Sequence, residues 1–259
     1  KQHDTKALQE LDRQHYMHPF TDSKAMHEKG TRIITRADGC YIYDSEGGKV
    51  LDGMAGLWCV NVGYGRDELA DVAAQQMREL PYYNSFFGTA HPPVIKLAAQ
   101  LKKLAPKHIS HVFFTGSGSE SNDTNVRMVR HYWQAKGQPT KRIIISRDNA
   151  YHGSTMASMS LGGMKGMHSQ GGIIDGIEHI MQPHWYHEAL PGETEDELGL
   201  RAAQALETKI IECGVDNVAA FIGEPVQGAG AVIVPPSTYW PEIQRICKKY
   251  DILLIEIGR

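Results

Sequence analysis

His111-Val112-Phe113-Phe114-Thr115-Gly116-Ser117-Gly118-Ser119-Glu120-Ser121-Asn122 runs from an apolar stretch into a turn of glycines and serines, and a helical pattern follows from about 119 to 136. The next apolar run, Arg142-Ile143-Ile144-Ile145-Ser146, completes a strand, a helix and a strand in that order. Towards the carboxyl end the alternation continues, with a short helix near 153–160, a strand near 179–182, a helix over 193–213, a strand over 218–223, a helix near 237–250 and a strand over 252–255. Short, continuously apolar strands between helices predict an α/β fold whose mainly parallel sheet is covered on both faces, with ligands at the carboxyl ends of the strands. Towards the amino end, amphipathic patterns predict helices over 67–80 and 93–105. Short alternating runs around Asp38-Gly39 and Gly47-Gly48 predict a small antiparallel sheet between 30 and 52. An N-terminal helix over 4–17 places Ala7, Leu8, Leu11 and His15 on one face.

Composition bounds the function. The 259 residues are 41% hydrophobic and 22% charged, enough apolar material for a sizeable core, which excludes intrinsic disorder. A formal net charge of −3 provides no basic field for nucleic acid or an anionic membrane, so a small molecule or another chain is the expected partner. Cys40, Cys59, Cys213 and Cys247 form no CxxC pair, so neither a disulfide framework nor a zinc ribbon is signalled, and reduced thiols in a cytoplasmic setting are expected. No run approaches the roughly 18 apolar residues of a membrane span. His184-Trp185-Tyr186-His187-Glu188 has the wrong order for a zinc-binding HxxEH pattern, and no metal site is expected.

Three turns could carry chemistry. In Gly116-Ser117-Gly118-Ser119, glycines would let the backbone approach an anion, and unpaired first-turn N–H groups with the helix dipole would favour a phosphate. An ordinary serine N-cap would use the same residues. Walker and dinucleotide-binding patterns both fail here: GxxxxGK[ST] is absent, and Ser121 stands at the last glycine position of GxGxxG. No GxSxG elbow for a serine hydrolase occurs either. Asn149-Ala150-Tyr151-His152-Gly153-Ser154 follows the 142–146 strand and would bring a ring for stacking and an imidazole to the same sheet edge, or else a packed aromatic and a structural histidine. In Ile222-Gly223-Glu224-Pro225-Val226-Gln227-Gly228 an acid sits where a central strand ends, which is costly unless it is paired or serves a ligand.

The ordered set of these three turns resembles the class III aminotransferases, fold-type I enzymes dependent on pyridoxal 5′-phosphate. Further stretches, Asp52-Gly53-Met54-Ala55-Gly56-Leu57-Trp58, Gly63-Tyr64-Gly65, Leu80-Pro81-Tyr82-Tyr83-Asn84 and Met164-Lys165-Gly166-Met167-His168, are similar to the ω-transaminase branch, which moves amino groups from amines, diamines or ω-amino acids to pyruvate or a similar keto acid. The resemblance implies a three-layer fold, a homodimer, and a division into residues 1–60, part of a small domain, and 61–259, part of the large cofactor-binding domain. It implies that Ser117, Gly118 and Ser119 hold the cofactor phosphate, that Tyr151 stacks on the ring with His152 and Gly153 beside it, and that Glu224 lies near the ring hydroxyl and nitrogen. Trp58, Phe20, Phe86, Phe87 and Tyr151 would wall a pocket suited to an apolar amine, the alternative for Trp58 being a core residue. Ala229 stands where ornithine-type relatives carry an acid, and Ser121, where the family has alanine, is expected to be nearly silent.

At the carboxyl end the sequence departs from the pattern. The family's strand is followed by Ala-Asp-Glu-Val, whose Asp protonates the pyridine nitrogen, whereas Glu256-Ile257-Gly258-Arg259 stands here. The Schiff-base lysine, the acid and the carboxyl-terminal small domain have no counterpart, so no catalytic residue is assigned within this chain. Two expectations follow: a retained part of a longer transaminase, trimmed also before Lys1, or a truncated relative that is inactive and acts as a dimerising protein. Another reaction of the same cofactor on the same fold is a third.

Overall fold

A computed structural model describes residues 3–258. The chain forms two compact units, Lys1–Ile109 and Ser110–Arg259, and the boundary expected at 60/61 falls inside the first. Among the described residues no helix is long and apolar enough to cross a membrane.

The first unit holds helices α1 (Thr5–His15) and α2 (Ser23–Lys29), each opened by an aspartate, Asp4 or Asp22, whose carboxylate accepts first-turn N–H groups. Strands β1 (Ile34–Asp38), β2 (Tyr41–Asp44) and β3 (Lys49–Leu51) form an antiparallel sheet in that order, turning at the Gly39 and Gly47 positions read from the sequence. A four-residue turn, α3 (Ala55–Trp58), follows, and then the long helices α4 (Asp67–Glu79) and α5 (Pro92–Leu104), the latter opened by proline where no N–H is needed.

The second unit is an α/β/α sandwich. Helix α6 (Gly118–Ala135) leads to β4 (Ile143–Arg147), then α7 (Met156–Leu161), α8 (Lys165–His168), β5 (Ile177–Ile180), α9 (Trp185–Glu188), α10 (Glu195–Cys213), β6 (Val218–Gly223), α11 (Tyr239–Lys249) and β7 (Leu253–Glu256). The strands pair in parallel in the order β5-β4-β6-β7. One face packs Ile144, Ala220 and Ile222 against Val126, Val129 and Trp133 of α6 and Leu161 of α7. The other packs Ile145, Phe221 and Val218 against Leu206 and Ile210 of α10 and Ile243 and Ile246 of α11. Strand β6 is buried along its whole length, which is why it reads as an unbroken apolar run rather than an alternating one.

Two expectations are corrected. The run 111–115 enters no ladder: it stays outside the four-stranded sheet, and Phe113 and Phe114 are exposed, because apolar content makes a strand only where a neighbouring strand supplies hydrogen bonds. The strand placed near 179–182 is found two residues earlier, since its partner β4 offers only Ile144 to Arg147 for pairing with Ile177 to Ile180.

Candidate active site

The carboxyl ends of β4 and β6 and the N-terminus of α6 meet at one edge of the second unit. Ser117 is the N-cap of α6, with its Oγ accepting the Glu120 N–H at 3.1 Å. The first intrahelical bond runs from the Ser121 N–H to the Ser117 carbonyl, so the N–H groups of Gly118 and Ser119 precede the ladder and point off the helix end. Nothing lies within 4 Å of where a Cβ on Gly118 would stand, which leaves that end open to an anion. Glu120 turns its carboxylate back to the Gly116 N–H at 2.7 Å. Ser121 Oγ lies 2.5 Å from Thr115 Oγ1 and ties the turn to the helix.

The segment after β4 is fastened to the first turns of α6. Ser119 Oγ accepts the Ser154 N–H at 3.0 Å, Ser158 Oγ donates to the Ser119 carbonyl at 2.7 Å, and the buried Asn122 donates from Nδ2 to the His152 carbonyl at 2.7 Å. Asp123 Oδ1 accepts from Thr155 Oγ1 and the Ser158 N–H, with Ser158 Oγ 2.9 Å away, so one carboxylate anchors the start of α7. Gly153, with φ of 132°, makes the closest approach: a Cβ there would lie 2.5 Å from Ser119 Oγ and 2.9 Å from Ser119 Cα. The structure therefore brings Ser117, Gly118, Ser119, Tyr151 and Gly153 into one piece.

Glu224 joins from β6. It is 1% exposed, and its carboxylate accepts the Tyr151 N–H at 3.1 Å through Oε1 and the Gly228 N–H at 3.0 Å through Oε2. Its carbonyl accepts from Nη2 of Arg147, a fully buried arginine that lies against the rings of Trp240 and Tyr239. Tyr151 is half-buried, with its hydroxyl 3.1 Å from Ser154 Oγ. The His152 ring turns inward, 3% exposed, with Nε2 3.1 Å from Ser146 Oγ beneath the sheet edge. Sequence reading missed Asn122, Asp123 and Arg147, and gave Gln227 no role. Gln227 is buried and donates to the Asp148 carbonyl at 3.0 Å, joining the loops that follow β6 and β4. Arg147 had one signal, a charge closing a run of isoleucines. Among the described residues no group of three or more His, Cys, Asp and Glu side chains could hold a metal.

The expected aromatic walls Phe20, Trp58, Phe86 and Phe87 belong to the first unit and are all exposed there. Phe20, Trp58 and Phe87 share a rare backbone state, with φ of 48°, 68° and 59°. Trp58 closes a left-handed turn in which Ala55, Gly56, Leu57 and Trp58 have φ of 48°, 60°, 61° and 68° in succession. Each non-glycine residue so placed costs roughly 1–2 kcal/mol, so Ala55, Leu57 and Trp58 together cost several. Opposing this are the bonds from the Trp58 N–H to the Met54 carbonyl at 2.8 Å and from the Cys59 N–H to the Ala55 carbonyl at 2.9 Å. Asp52 adds more: Oδ2 accepts the Gly56 N–H and the Tyr64 hydroxyl, each at 2.7 Å, and Oδ1 accepts the Met54 N–H at 3.3 Å. The Tyr64 hydrogen bond holds the Asp52 carboxyl below the usual carboxylate range and raises the Tyr64 phenol.

Comparison with known proteins agrees with this geometry. The sequence model of the family described as Aminotransferase class-III matches residues 23–256. A putrescine–pyruvate aminotransferase of Pseudomonas aeruginosa is 62% identical over 253 residues, 97% of this chain and 55% of the relative. Gamma-aminobutyrate transaminase 1, mitochondrial, of Oryza sativa subsp. indica is 43% identical, over 92% of this chain and 46% of its own length. Among solved structures, the omega transaminase from Pseudomonas jessenii in complex with PMP has a TM-score of 0.94 at 46% identity, covering 96% of this chain and 55% of that one. An (S)-enantioselective omega-transaminase from Thermomicrobium roseum has a TM-score of 0.95 at 42% identity, covering 99% of this chain and 57% of that one. The chain spans about half the length of the curated relatives it matches.

Proposed function

The chain belongs to the class III aminotransferases, and from that premise we propose that the protein containing it transfers an amino group from an amine, with a diamine such as putrescine first in line, to pyruvate or a similar keto acid. Class III aminotransferases depend on pyridoxal 5′-phosphate. When bound, that group supplies the carbonyl that accepts the amino group and the ring that takes up electrons during the transfer.

The observation that carries this reading is the fastening of residues 152–158, which follow Tyr151 directly, to the first turns of α6. Gly118 and Ser119 would bind the phosphate through backbone N–H groups, and the Ser117 and Ser119 hydroxyls border the same position. Tyr151 would set the plane of the ring by stacking, with Gly153 permitting the approach and His152 bracing the loop from below. Glu224, held by two backbone N–H groups, would face the ring hydroxyl and nitrogen with a fixed carboxylate. Trp58, Phe20, Phe86 and Phe87, which the resemblance assigns to the amine, would supply an apolar lining that favours a carbon chain over a second carboxylate. A neighbour described as variant W58G, engineered for the asymmetric synthesis of enantiopure bulky amines, supports the role of a tryptophan in that lining.

A homodimer, a cytoplasmic setting and the division at 60/61 belong to the same reading, and gel filtration tests the first. The deciding experiment gives the full-length protein pyridoxal phosphate, putrescine and pyruvate and follows alanine by chromatography. Alanine formed in proportion to putrescine consumed is expected. No alanine with any diamine or ω-amino acid, from protein that shows cofactor absorbance, would sink the reading.

A further inference from the structure

We infer that Asp52 and Tyr64 are positioning residues that hold residues 55–58 in their left-handed turn and thereby fix Trp58, so that this pair sets how large an amine the enzyme accepts. The inference rests on the proposed function for the role of Trp58, but its mechanical part stands on the first unit alone.

Both posts of the clamp are anchored outside the turn. Asp52 follows β3 directly and donates its N–H to the Cys40 carbonyl at 2.9 Å. Tyr64 exchanges backbone hydrogen bonds with Gly39 at the β1–β2 turn, at 2.8 and 3.2 Å. The small sheet thus fixes both ends, and the Tyr64 hydroxyl closes the gap by donating to Asp52 Oδ2, which also takes the Gly56 N–H. Gly56 is the residue the geometry requires there: its φ is 60°, and a Cβ would lie 2.8 Å from Val60 Cγ2 and 3.0 Å from the Tyr64 hydroxyl. The left-handed state is intrinsically unfavourable for the backbones of Leu57 and Trp58. Leu57 is 71% exposed, so no burial of its side chain rewards the strain. A strained turn of this kind persists only where its surroundings over-determine it, and such turns cluster at active sites and ligand clamps. Released from the clamp, the turn would relax to right-handed or extended backbone, and the Trp58 indole would leave its place.

The test uses the full-length enzyme carrying Tyr64→Phe, which removes one hydroxyl and leaves the ring. Amide hydrogen exchange over 54–60 should quicken at least tenfold. The ratio of kcat/KM for a bulky aryl amine to that for a small aliphatic diamine should rise at least fivefold, with the melting temperature little changed. Adding Leu57→Gly, which removes strain at φ of 61°, should restore at least half of the lost exchange protection. A purely structural role would lower the melting temperature and leave the amine ratio unmoved. Wild-type exchange and a wild-type amine ratio in Tyr64→Phe would overturn the inference. Should Tyr64→Phe fold poorly, Asp52→Asn, which keeps the acceptor oxygen and weakens its bonds, should shift both readouts in the same direction by a smaller factor, and no shift would count equally against the inference. Loss of all amino transfer in the wild-type enzyme would instead sink the proposed function, while the exchange measurement would still judge the clamp.

Discussion

Arg147 donates through Nη2 to the Glu224 carbonyl at 2.5 Å, and this buried guanidinium forms no ion pair among the described residues. Its Nε and Nη1 have no acceptor, and its carbon lies 5.3 Å from the Trp240 ring centre and 5.6 Å from that of Tyr239. Burial pushes the Tyr239 phenol up to about 12, with the neighbouring guanidinium pulling the other way. A cation–π contact contributes about 0.5–2 kcal/mol, less than the several kcal/mol that burial of an unpaired charge costs. Arg147→Lys should therefore be less stable than Arg147→Met by about 1–3 kcal/mol, because lysine keeps a strongly hydrated point charge and methionine fills the same space without one. Urea melts of the two variants check the order, and the reverse order would contradict an unpaired buried charge at this position.

Gly153→Ala should disturb the site more than its small size suggests. The added methyl would meet Ser119 Cα at 2.9 Å and occupy a backbone with φ of 132°. About 1–3 kcal/mol of stability should be lost. The affinity for pyridoxal phosphate should fall with it, measured by titrating absorbance near 400 nm in the full-length protein. Unchanged affinity would mean that the 117–119 turn and the Tyr151 segment are independent.

Asn122→Leu removes the donor to the His152 carbonyl and leaves that acceptor buried. A cost of about 1–3 kcal/mol is expected from the unsatisfied carbonyl. Hydrogen exchange across 151–158 should quicken more than exchange in α10, since the lost bond is local. Equal quickening in both segments would contradict a local role.

Glu207 links α10 to α11 by accepting from Lys249 Nζ at 2.5 Å, the Tyr250 hydroxyl at 2.7 Å and Gln204 Nε2 at 2.6 Å. These bonds, Lys249 first, lower its carboxyl from the usual 4.5 to about 2. A folded-state value below the unfolded one means that its stabilisation is complete above about pH 4.5 and lost as pH falls towards 2. Glu193, held to about 2 chiefly by Arg201, behaves alike, so Glu207→Gln should flatten the acid limb of a stability–pH curve between pH 4.5 and 2 without abolishing it. An unchanged acid limb would show that the unfolded state keeps the same contacts.

Much of the fold was legible because its signals are local. The isoleucines of 143–145 and the apolar run 218–222 announce buried parallel strands, and the period of α6 and α10 announces helices that cover them. The run 111–115 carried the same apolar signal and is not in the sheet, because pairing depends on a partner strand that a local reading does not see. Of the site, the three turns were readable, two of them after β4 and β6 and one at the start of α6, since runs of glycine and serine and a buried acid are costly elsewhere. Which of their atoms face a ligand was not: His152 and Tyr151 are neighbours in sequence, yet one ring is buried against Ser146 and the other is half-exposed.

By itself, the sequence determined the α/β alternation, the family and the order of the phosphate, stacking and acid-bearing turns, because each rests on residue types within a few positions of one another. The tertiary structure alone decided that Asn122, Asp123 and Gly153 fasten two of those turns together, that Arg147 backs the third, and that Asp52 and Tyr64 hold Trp58 in a left-handed turn. The physical reason is range. Apolar periodicity and turn chemistry act over one or two helical turns, whereas the bonds from Asn122 to the His152 carbonyl, from Arg147 to the Glu224 carbonyl and from Tyr64 to Asp52 exist only once folding has brought separate segments together.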